Sequence, residues 1–216
     1  LAKEYRSSSS AKFIGITGSS GKTTVKTLIG NVLKEYSSTY FSPKSYNNQY
    51  GVPLSLCNMN PNDNFGVFEI GMSKFNEINK LSSIVKPDIG IITNISEAHL
   101  ENFKSIKEIA KAKSEIIYNI KKDGTIILNR DDRFFNYFQQ IAKKNNIKII
   151  SFGYSYKSDV KFLSLKKTKN KINIKILINK KTIPLNINSS NKTNILNILC
   201  CIAVLSELNL NLNKIK

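Results

Sequence analysis

The sequence predicts an α/β protein whose parallel sheet carries helices on both faces, with a small antiparallel β subdomain near the C-terminal end. Two observations predict it. Apolar runs typical of strands alternate with amphipathic segments typical of helices as far as Gly153, and such alternation indicates a parallel sheet. After Gly153, three closely spaced segments alternate apolar and polar residues with no helical segment between them. This second pattern is typical of antiparallel strands.

The predicted elements follow in order along the chain. Strands are predicted over residues 12–17, 65–70, 89–93, 125–128, 147–152, 160–165, 171–178 and 182–187. Helices are predicted from residue 23, from residue 53, and over 75–85, 105–120, 132–144 and 192–208. The helix from residue 23 has apolar side chains at i, i+3, i+4, i+7 and i+8, which predicts one buried face: Val25, Leu28, Ile29, Val32 and Leu33.

The composition limits the classes of function. The 216 residues suffice for one domain with a substantial core. The net charge is +18, but the lysines are spread along the chain and no aromatic-basic motif accompanies them. We therefore expect a solvated basic surface around sites for phosphorylated ligands, and no nucleic-acid partner.

The cysteines and the apolar runs indicate a soluble cytoplasmic protein. Cys57, Cys200 and Cys201 lack C-x-x-C spacing, which predicts three buried thiols in a reducing compartment. The longest apolar run, residues 195–205, contains Asn197 and is too short to span a bilayer. No signal peptide is recognisable, so we expect no membrane insertion.

Residues 13–24, Phe-Ile-Gly-Ile-Thr-Gly-Ser-Ser-Gly-Lys-Thr-Thr, join a strand to a helix through a phosphate-binding loop, or P-loop. The glycines let successive backbone N–H groups turn toward one anion, and the following helix adds its positive N-terminus. Lys22 adds a charge, and the Thr23 hydroxyl can hold Mg²⁺. The strict pattern has glycine at position 16, where Ile16 stands, so this is a variant loop. It predicts nucleoside triphosphate binding, with a glycine turn that binds no ligand as the alternative.

Polar residues follow two other strands, at the edge where an open parallel sheet binds its ligands. Glu69 ends the strand 65–70 and could bind Mg²⁺ directly or through water; the alternative is a surface carboxylate without a role. His99, the single histidine, follows the strand 89–93. We expect it to belong to the site, although a lone histidine is more often a structural hydrogen-bonding residue.

Lys113 stands within the apolar stripe of the helix 105–120, whereas Lys107 and Lys111 point outward. Burial of an ammonium is costly and lowers its pKa toward the neutral amine. A neutral amine can react with CO₂ to form a carbamate, which would place an anionic oxygen ligand at this position. An ordinary Lys–Glu ion pair, or a lysine that reaches the γ-phosphate, remains the alternative.

Together these segments resemble the ATP-dependent Mur ligases of peptidoglycan synthesis. The resemblance covers residues 1 to about 208, and the missing first glycine of the P-loop is normal in that family. It rests on the P-loop and on five further segments: Asn47–Pro53, Glu69–Gly71, Thr93–Glu101, Ala110–Glu115 and Asp123–Asp132.

The resemblance implies roles for particular residues. ATP would be held by Lys22 and the amides of the loop, Gly18, Ser19, Ser20, Gly21, Thr23 and Thr24. One Mg²⁺ would be bound by Thr23 and Glu69, and a second by His99 and carbamylated Lys113. Asn48 and Asn94 would line the site, and Asn194 would contact the adenine. The family usually has Gly-x-His-Asn before the last helix, whereas this chain has Asn191-Lys192-Thr193-Asn194.

The resemblance also implies an activity and a domain organisation. It is strongest to the members that join D-alanyl-D-alanine to UDP-N-acetylmuramoyl-tripeptide (UDP-MurNAc-tripeptide and D-Ala-D-Ala) through an acyl phosphate. Residues 12–208 would be the central ATP-binding domain, with 152–188 as the antiparallel sheet, 1–11 as an interdomain linker and 209–216 as the start of a link. The whole enzyme would be a monomer packed on its own N- and C-terminal domains. Two alternatives stay open: a folylpolyglutamate or cyanophycin synthetase type of ligase, against which Asn47–Pro53 argues, and a P-loop fragment that does not ligate.

Overall fold

The computed structural model describes residues 1–97, 102–169 and 171–212. The strands are β1 Lys12–Thr17, β2 Thr39–Phe41, β3 Phe65–Glu69, β4 Ile89–Ile92, β5 Thr125–Asn129, β6 Lys148–Gly153, β7 Val160–Lys167, β8 Ile172–Ile178 and β9 Lys181–Ile187. The helices are α1 Ala2–Ser8, α2 Lys22–Lys34, α3 Gly51–Cys57, α4 Glu77–Val85, α5 Ile106–Ser114, α6 Phe135–Lys144 and α7 Lys192–Glu207. A 3₁₀ helix, Glu115–Asn119, follows α5 directly.

The strands form one sheet in the order β2-β3-β1-β4-β5-β6-β7-β8-β9. Strands β1 to β6 pair in parallel, and β7, β8 and β9 pair antiparallel. Strand β7 joins β6 through the short parallel pairing of Phe152 with Val160 and Gly153 with Lys161. The predicted fold class is therefore confirmed, and its antiparallel strands extend the main sheet.

Helices cover both faces of the sheet, as predicted. On one face, α1, α3, α4, α5 and α6 enclose a core that includes Phe13, Leu56, Ile109 and Phe138. On the other face, α2 contributes Ile29 and Leu33 and α7 contributes Leu199 to a core that includes Ile14 and Ile16 of β1. Strands buried on both faces account for the nearly continuous apolar runs of β1 and β4.

Several elements differ from the sequence prediction, and helix α3 begins at Gly51, two residues before its predicted start. Strand β2 was not predicted, and the predicted helix 105–120 is α5 followed by the 3₁₀ helix. Helices α4 and α6 begin two and three residues later than predicted, at Glu77 and Phe135. The prediction that all three cysteines are buried was wrong for Cys57, which is exposed at the end of α3.

Helix α1 is fastened to the sheet by one buried arginine. The Arg6 guanidinium donates to the carbonyl oxygens of Val85 at 2.6 Å and Lys86 at 2.9 Å, and pairs with Asp88 at 3.2 Å. It also lies 3.7 Å from the centre of the Phe13 ring. These contacts lie at the opposite end of β1 from the P-loop. Among the described residues, no helix combines the length and apolarity that crossing a bilayer requires.

Candidate active site

The P-loop lies at the point where the order of the sheet reverses. After β1 the chain crosses to β2 and β3 on one side, whereas β4 lies on the other side of β1. A crevice opens at such a point, outside the carboxyl ends of the strands, and it is where open α/β sheets bind ligands. The loop therefore stands beside the ends of both β3 and β4.

The glycines of the loop are required by its geometry. Gly18 has φ 144° and Gly21 has φ 80°, values that residues with a Cβ rarely adopt. A Cβ on Gly18 would lie 1.9 Å from Thr93 Oγ1. Gly21 caps α2, whose first backbone bond runs from Val25 N to the Gly21 carbonyl at 2.8 Å.

The end of β4 fixes the shape of the loop through hydrogen bonds to Ser19 and Ser20. Thr93 Oγ1 donates to the Ser20 carbonyl at 2.7 Å. The Asn94 amide accepts from Ser20 N at 3.2 Å and donates to the Ser20 carbonyl at 3.1 Å. Ser19 N donates to the Asn94 carbonyl at 2.9 Å. The structure thus brings Asn94 to the loop, where its side chain holds Ser20.

We expect Gly18→Ala to weaken nucleotide binding at least about tenfold, because the new methyl group must displace either Thr93 or the loop. Calorimetric titration with a non-hydrolysable ATP analogue and Mg²⁺ measures this loss. Gly15→Ala is the matched control, since Gly15 has no positive φ and its Cβ would meet Ile70 Cδ1 at 3.2 Å. Equal affinities of the two variants would contradict the expectation.

Lys22 folds back over the loop. Its Nζ donates to the carbonyl oxygens of Gly18 at 2.9 Å and Ser19 at 3.4 Å. Burial lowers the pKa of Lys22, and the charge of Glu69 opposes this shift. The ammonium therefore lies at the concave side of the loop, where a phosphate can accept its hydrogen bonds. Thr24 is exposed in the first turn of α2.

Glu69 and Thr23 meet beneath the loop. Glu69 is 1% exposed at the end of β3, and its Oε2 accepts from Thr23 Oγ1 at 2.7 Å. Its Oε1 accepts from Asn47 Nδ2 at 2.6 Å. The Lys26 ammonium lies 3.9 Å from Oε2. Lys26 and Asn47 are functional candidates that the sequence analysis did not single out individually.

Lys113 is buried at this site, with 2% of its surface exposed. Its Nζ donates to the Gly18 carbonyl at 3.0 Å, the oxygen that also accepts from Lys22. Burial, reinforced by the charge of Lys22, lowers the pKa of Lys113 to about 7. No ion pair of Lys113 with a carboxylate occurs within the described part of the chain. His99, predicted for the same site, lies outside the described residues.

A cavity of about 420 Å³ opens between Lys22 and Lys113 on one side and α4 on the other. Asn47, Asn48, Tyr50, Met72 and Lys80 are among the residues that line it. Asn48 is part of this wall, and its Oδ1 also accepts from the backbone N–H groups of Tyr50 and Gly51 at 3.1 and 2.9 Å.

A second cavity of about 260 Å³ is lined by Ser20 of the P-loop. Its lining includes Asn94, Phe152, Thr193 and Asn197. Asn194 is not among its lining residues, and its Nδ2 donates to the Ser189 carbonyl at 3.2 Å. The residue that caps α7 is Asn191, whose Oδ1 accepts from Asn194 N at 2.6 Å.

Comparison with protein families matches residues 16–205 to the Mur ligase middle domain. The chain belongs to the Mur ligase family. In Rickettsia prowazekii, a protein named UDP-N-acetylmuramoyl-tripeptide--D-alanyl-D-alanine ligase is 38% identical over 188 residues, which cover 87% of this chain and 42% of the relative.

Solved structures of Mur ligases share the fold. MurF from Acinetobacter baumannii has a TM-score of 0.92 and 29% identity, over 99% of this chain and 46% of that one. MurF from Thermotoga maritima, crystallised in complex with ADP, has a TM-score of 0.88 and 26% identity, over 97% and 48%. The chain therefore spans less than half the length of these Mur ligases.

Proposed function

We propose that this chain is the ATP- and Mg²⁺-binding part of an ADP-forming ligase that adds D-alanyl-D-alanine to UDP-N-acetylmuramoyl-tripeptide. The observation that carries the proposal is the meeting of Lys22, the Thr23–Glu69 pair and buried Lys113 around one variant P-loop. The names of the relatives support the substrates, and the ADP complex of the Thermotoga relative supports the nucleotide.

The proposed reaction has two steps. The terminal carboxylate of the tripeptide attacks the γ-phosphorus of ATP, which forms an acyl phosphate and releases ADP. The amine of D-alanyl-D-alanine then attacks the acyl carbon, and inorganic phosphate leaves as the amide bond forms. The first step concentrates negative charge on the transferring group, so catalysis depends mainly on positioning and on positive charge.

In this proposal the residues of the P-loop hold the triphosphate. The backbone amides of Gly18, Ser19, Ser20 and Gly21 and the first turn of α2, with Thr23 and Thr24, surround the β- and γ-phosphates. The Lys22 ammonium exchanges its bonds to the Gly18 and Ser19 carbonyls for bonds to phosphate oxygens. Asn94 keeps the loop in shape through its paired hydrogen bonds to Ser20.

The Thr23–Glu69 pair fits a first Mg²⁺. Hard cations prefer oxygen ligands, and the Thr23 oxygen can offer a lone pair to a metal while its hydroxyl proton remains hydrogen-bonded to Glu69 Oε2. Glu69 then takes part directly or through water. When bound, Mg²⁺ neutralises charge on the phosphates and orients them.

We propose that His99 and a carbamate of Lys113 would hold a second Mg²⁺, which would neutralise charge on the transferring phosphoryl group. The Lys113 amine adds to the carbon of CO₂ and releases one proton, so that an ammonium becomes an anionic oxygen ligand. Its burial and its lowered pKa support this chemistry, because a large share of the amine is neutral near pH 7. Burial and the neighbouring charge of Lys22 both favour the neutral amine.

The two cavities suggest how the substrates are arranged. We assign the smaller one to the adenine, with Asn197 in its wall and Asn194 one turn away on α7. We assign the larger one, with Asn48, to the carboxylate end of the tripeptide. The whole protein is proposed to be a cytoplasmic monomer in which residues 12–208 form the central of three domains, residues 1–11 link to the N-terminal one and 209–216 lead to the C-terminal one.

An assay of ADP release by the full-length protein tests this function. We expect ADP to appear only when ATP, Mg²⁺, UDP-MurNAc-tripeptide and D-Ala-D-Ala are all present. ADP release with folate and glutamate, or with an aspartate-based polymer, would instead favour a folylpolyglutamate or cyanophycin synthetase type of ligase. Nucleotide binding without ADP release from any set would favour a non-ligating P-loop protein.

A further inference from the structure

Lys26 forms a buried ion pair with Glu69 at the base of the phosphate site. It lies in the second turn of α2, one turn after Lys22, and is 1% exposed. Its Nζ is 3.9 Å from Glu69 Oε2 and donates to the backbone carbonyl of Lys44. No step of the proposed reaction uses this ammonium, although burying it is costly.

The three contacts of Glu69 leave its carboxylate fully partnered by the protein. Thr23 donates to Oε2 at 2.7 Å, Asn47 donates to Oε1 at 2.6 Å, and Lys26 supplies the countercharge at 3.9 Å. A buried carboxylate without partners is costly. With these partners, the protein alone holds the Glu69 carboxylate in one orientation, with a positive charge beside it.

We propose that Lys26 is a positioning residue with two effects. Without Mg²⁺, its ammonium is the countercharge of the Glu69 carboxylate. With Mg²⁺ bound, the same ammonium repels the metal and so lowers the affinity of the site for Mg²⁺. This inference rests on the proposed function. A fixed positive charge about 4 Å from a ligand oxygen repels a divalent cation bound there. At that separation one unit charge changes an affinity by at least about fivefold, even at the dielectric constant of water.

Lys26 also orders the loop that carries Asn47. Lys44, whose carbonyl accepts from Lys26, has a left-handed backbone with φ 44°. Three residues later, the Asn47 carbonyl accepts from Gly71 N at 2.8 Å. A test must therefore separate the effect of the Lys26 charge on Mg²⁺ from the effect of its hydrogen bond on this loop. Lys26→Met removes the charge at similar volume, and Lys26→Arg keeps it.

Mg²⁺ titrations of the full-length protein at a saturating concentration of a non-hydrolysable ATP analogue provide the readout. We expect the half-saturating Mg²⁺ concentration to fall at least about fivefold in Lys26→Met and to stay near the wild-type value in Lys26→Arg. Arg6→Met is the matched control, because it removes another buried cation, paired with Asp88 far from the site. It should lower the melting temperature and leave the Mg²⁺ dependence unchanged.

A second comparison keeps the inference testable if Lys26→Met is too unstable to titrate. The double variant Lys26→Met/Glu69→Gln should have a larger free energy of unfolding in EDTA than Lys26→Met alone, because it leaves no uncompensated carboxylate. A wild-type Mg²⁺ dependence in Lys26→Met, or a double variant no more stable than the single one, would overturn the role of Lys26 alone. Wild-type protein that binds the analogue without Mg²⁺ dependence would overturn the proposed metal site as well.

Discussion

Nucleotide binding is expected to be lost when Lys22 is replaced by alanine. The Lys22 ammonium lies within hydrogen-bond distance of the Gly18 and Ser19 carbonyls, on the concave side of the loop. It is the P-loop side chain that can place a positive charge on the β- and γ-phosphates. We expect the affinity for the ATP analogue to fall at least about a hundredfold, and kcat/KM about a thousandfold.

Calorimetric titration of Lys22→Ala, together with its melting temperature, measures this effect. The variant should stay folded, because Lys22 is only partly buried and its hydrogen-bond partners are carbonyls at the edge of the crevice. Lys143→Ala is the control, since Lys143 is an exposed lysine on α6. If Lys22→Ala kept the affinity of the wild type, the assignment of the phosphate site would be wrong.

Much of the fold could be predicted because apolar periodicity reports burial directly. Helix α2 shows both the strength and the limit of this signal. Its predicted stripe is right at Val25, Ile29 and Leu33, which are at most 1% exposed. The buried surface also includes Gly30, whose Cβ position lies 2.3 Å from the Phe41 ring. Strand β2, which carries Phe41, has three residues and is too short to show a period of two.

The candidate site was predictable where one residue type implies one chemistry. Glycines before Gly-Lys-Thr predict a phosphate loop, and a carboxylate at a strand end predicts a cation site. The structure brings the Thr23 hydroxyl and the Glu69 carboxylate into hydrogen-bond contact. Lys26 was not found, because a lysine one turn after Lys22 is indistinguishable in sequence from an exposed one. The pairing with Glu69 spans 43 residues and depends on β1 and β3 being neighbours.

Helix α7 shows a similar limit of prediction from sequence, at the residues that line the smaller cavity. Asn194 and Asn197 both lie near the predicted start of this helix, and the resemblance implies the adenine contact for Asn194. The structure gives the capping role to Asn191 and puts Asn197 in the cavity wall. A shift of one helical turn separates the two positions, which sequence periodicity alone does not resolve.

Loss of Lys113 is expected to be as damaging as loss of Lys22, for a different reason. In Lys113→Ala the proposed anionic ligand of the second Mg²⁺ is missing, so we expect kcat/KM to fall at least about a thousandfold. Binding of the ATP analogue should weaken much less, because Lys22 and the loop amides remain. Lys111→Ala, an exposed lysine two residues earlier on α5, is the matched control.

Small carboxylates distinguish a carbamate from an ordinary lysine. If Lys113 acts as an anionic ligand, then formate or acetate that enters the space left by Lys113→Ala should restore part of the activity, and chloride should not. If it acts as an ammonium toward the γ-phosphate, then short amines should restore activity instead.

The wild type should also gain the mass of one CO₂ in bicarbonate, and this gain should decrease below pH 7. The decrease follows from the pKa of Lys113, which is about 7, because only the unprotonated amine reacts with CO₂. Each pH unit below 7 lowers the unprotonated share of the amine up to about tenfold. Rescue by amines alone, with no mass gain at any pH, would refute the carbamate and leave Lys113 as a phosphate-binding ammonium.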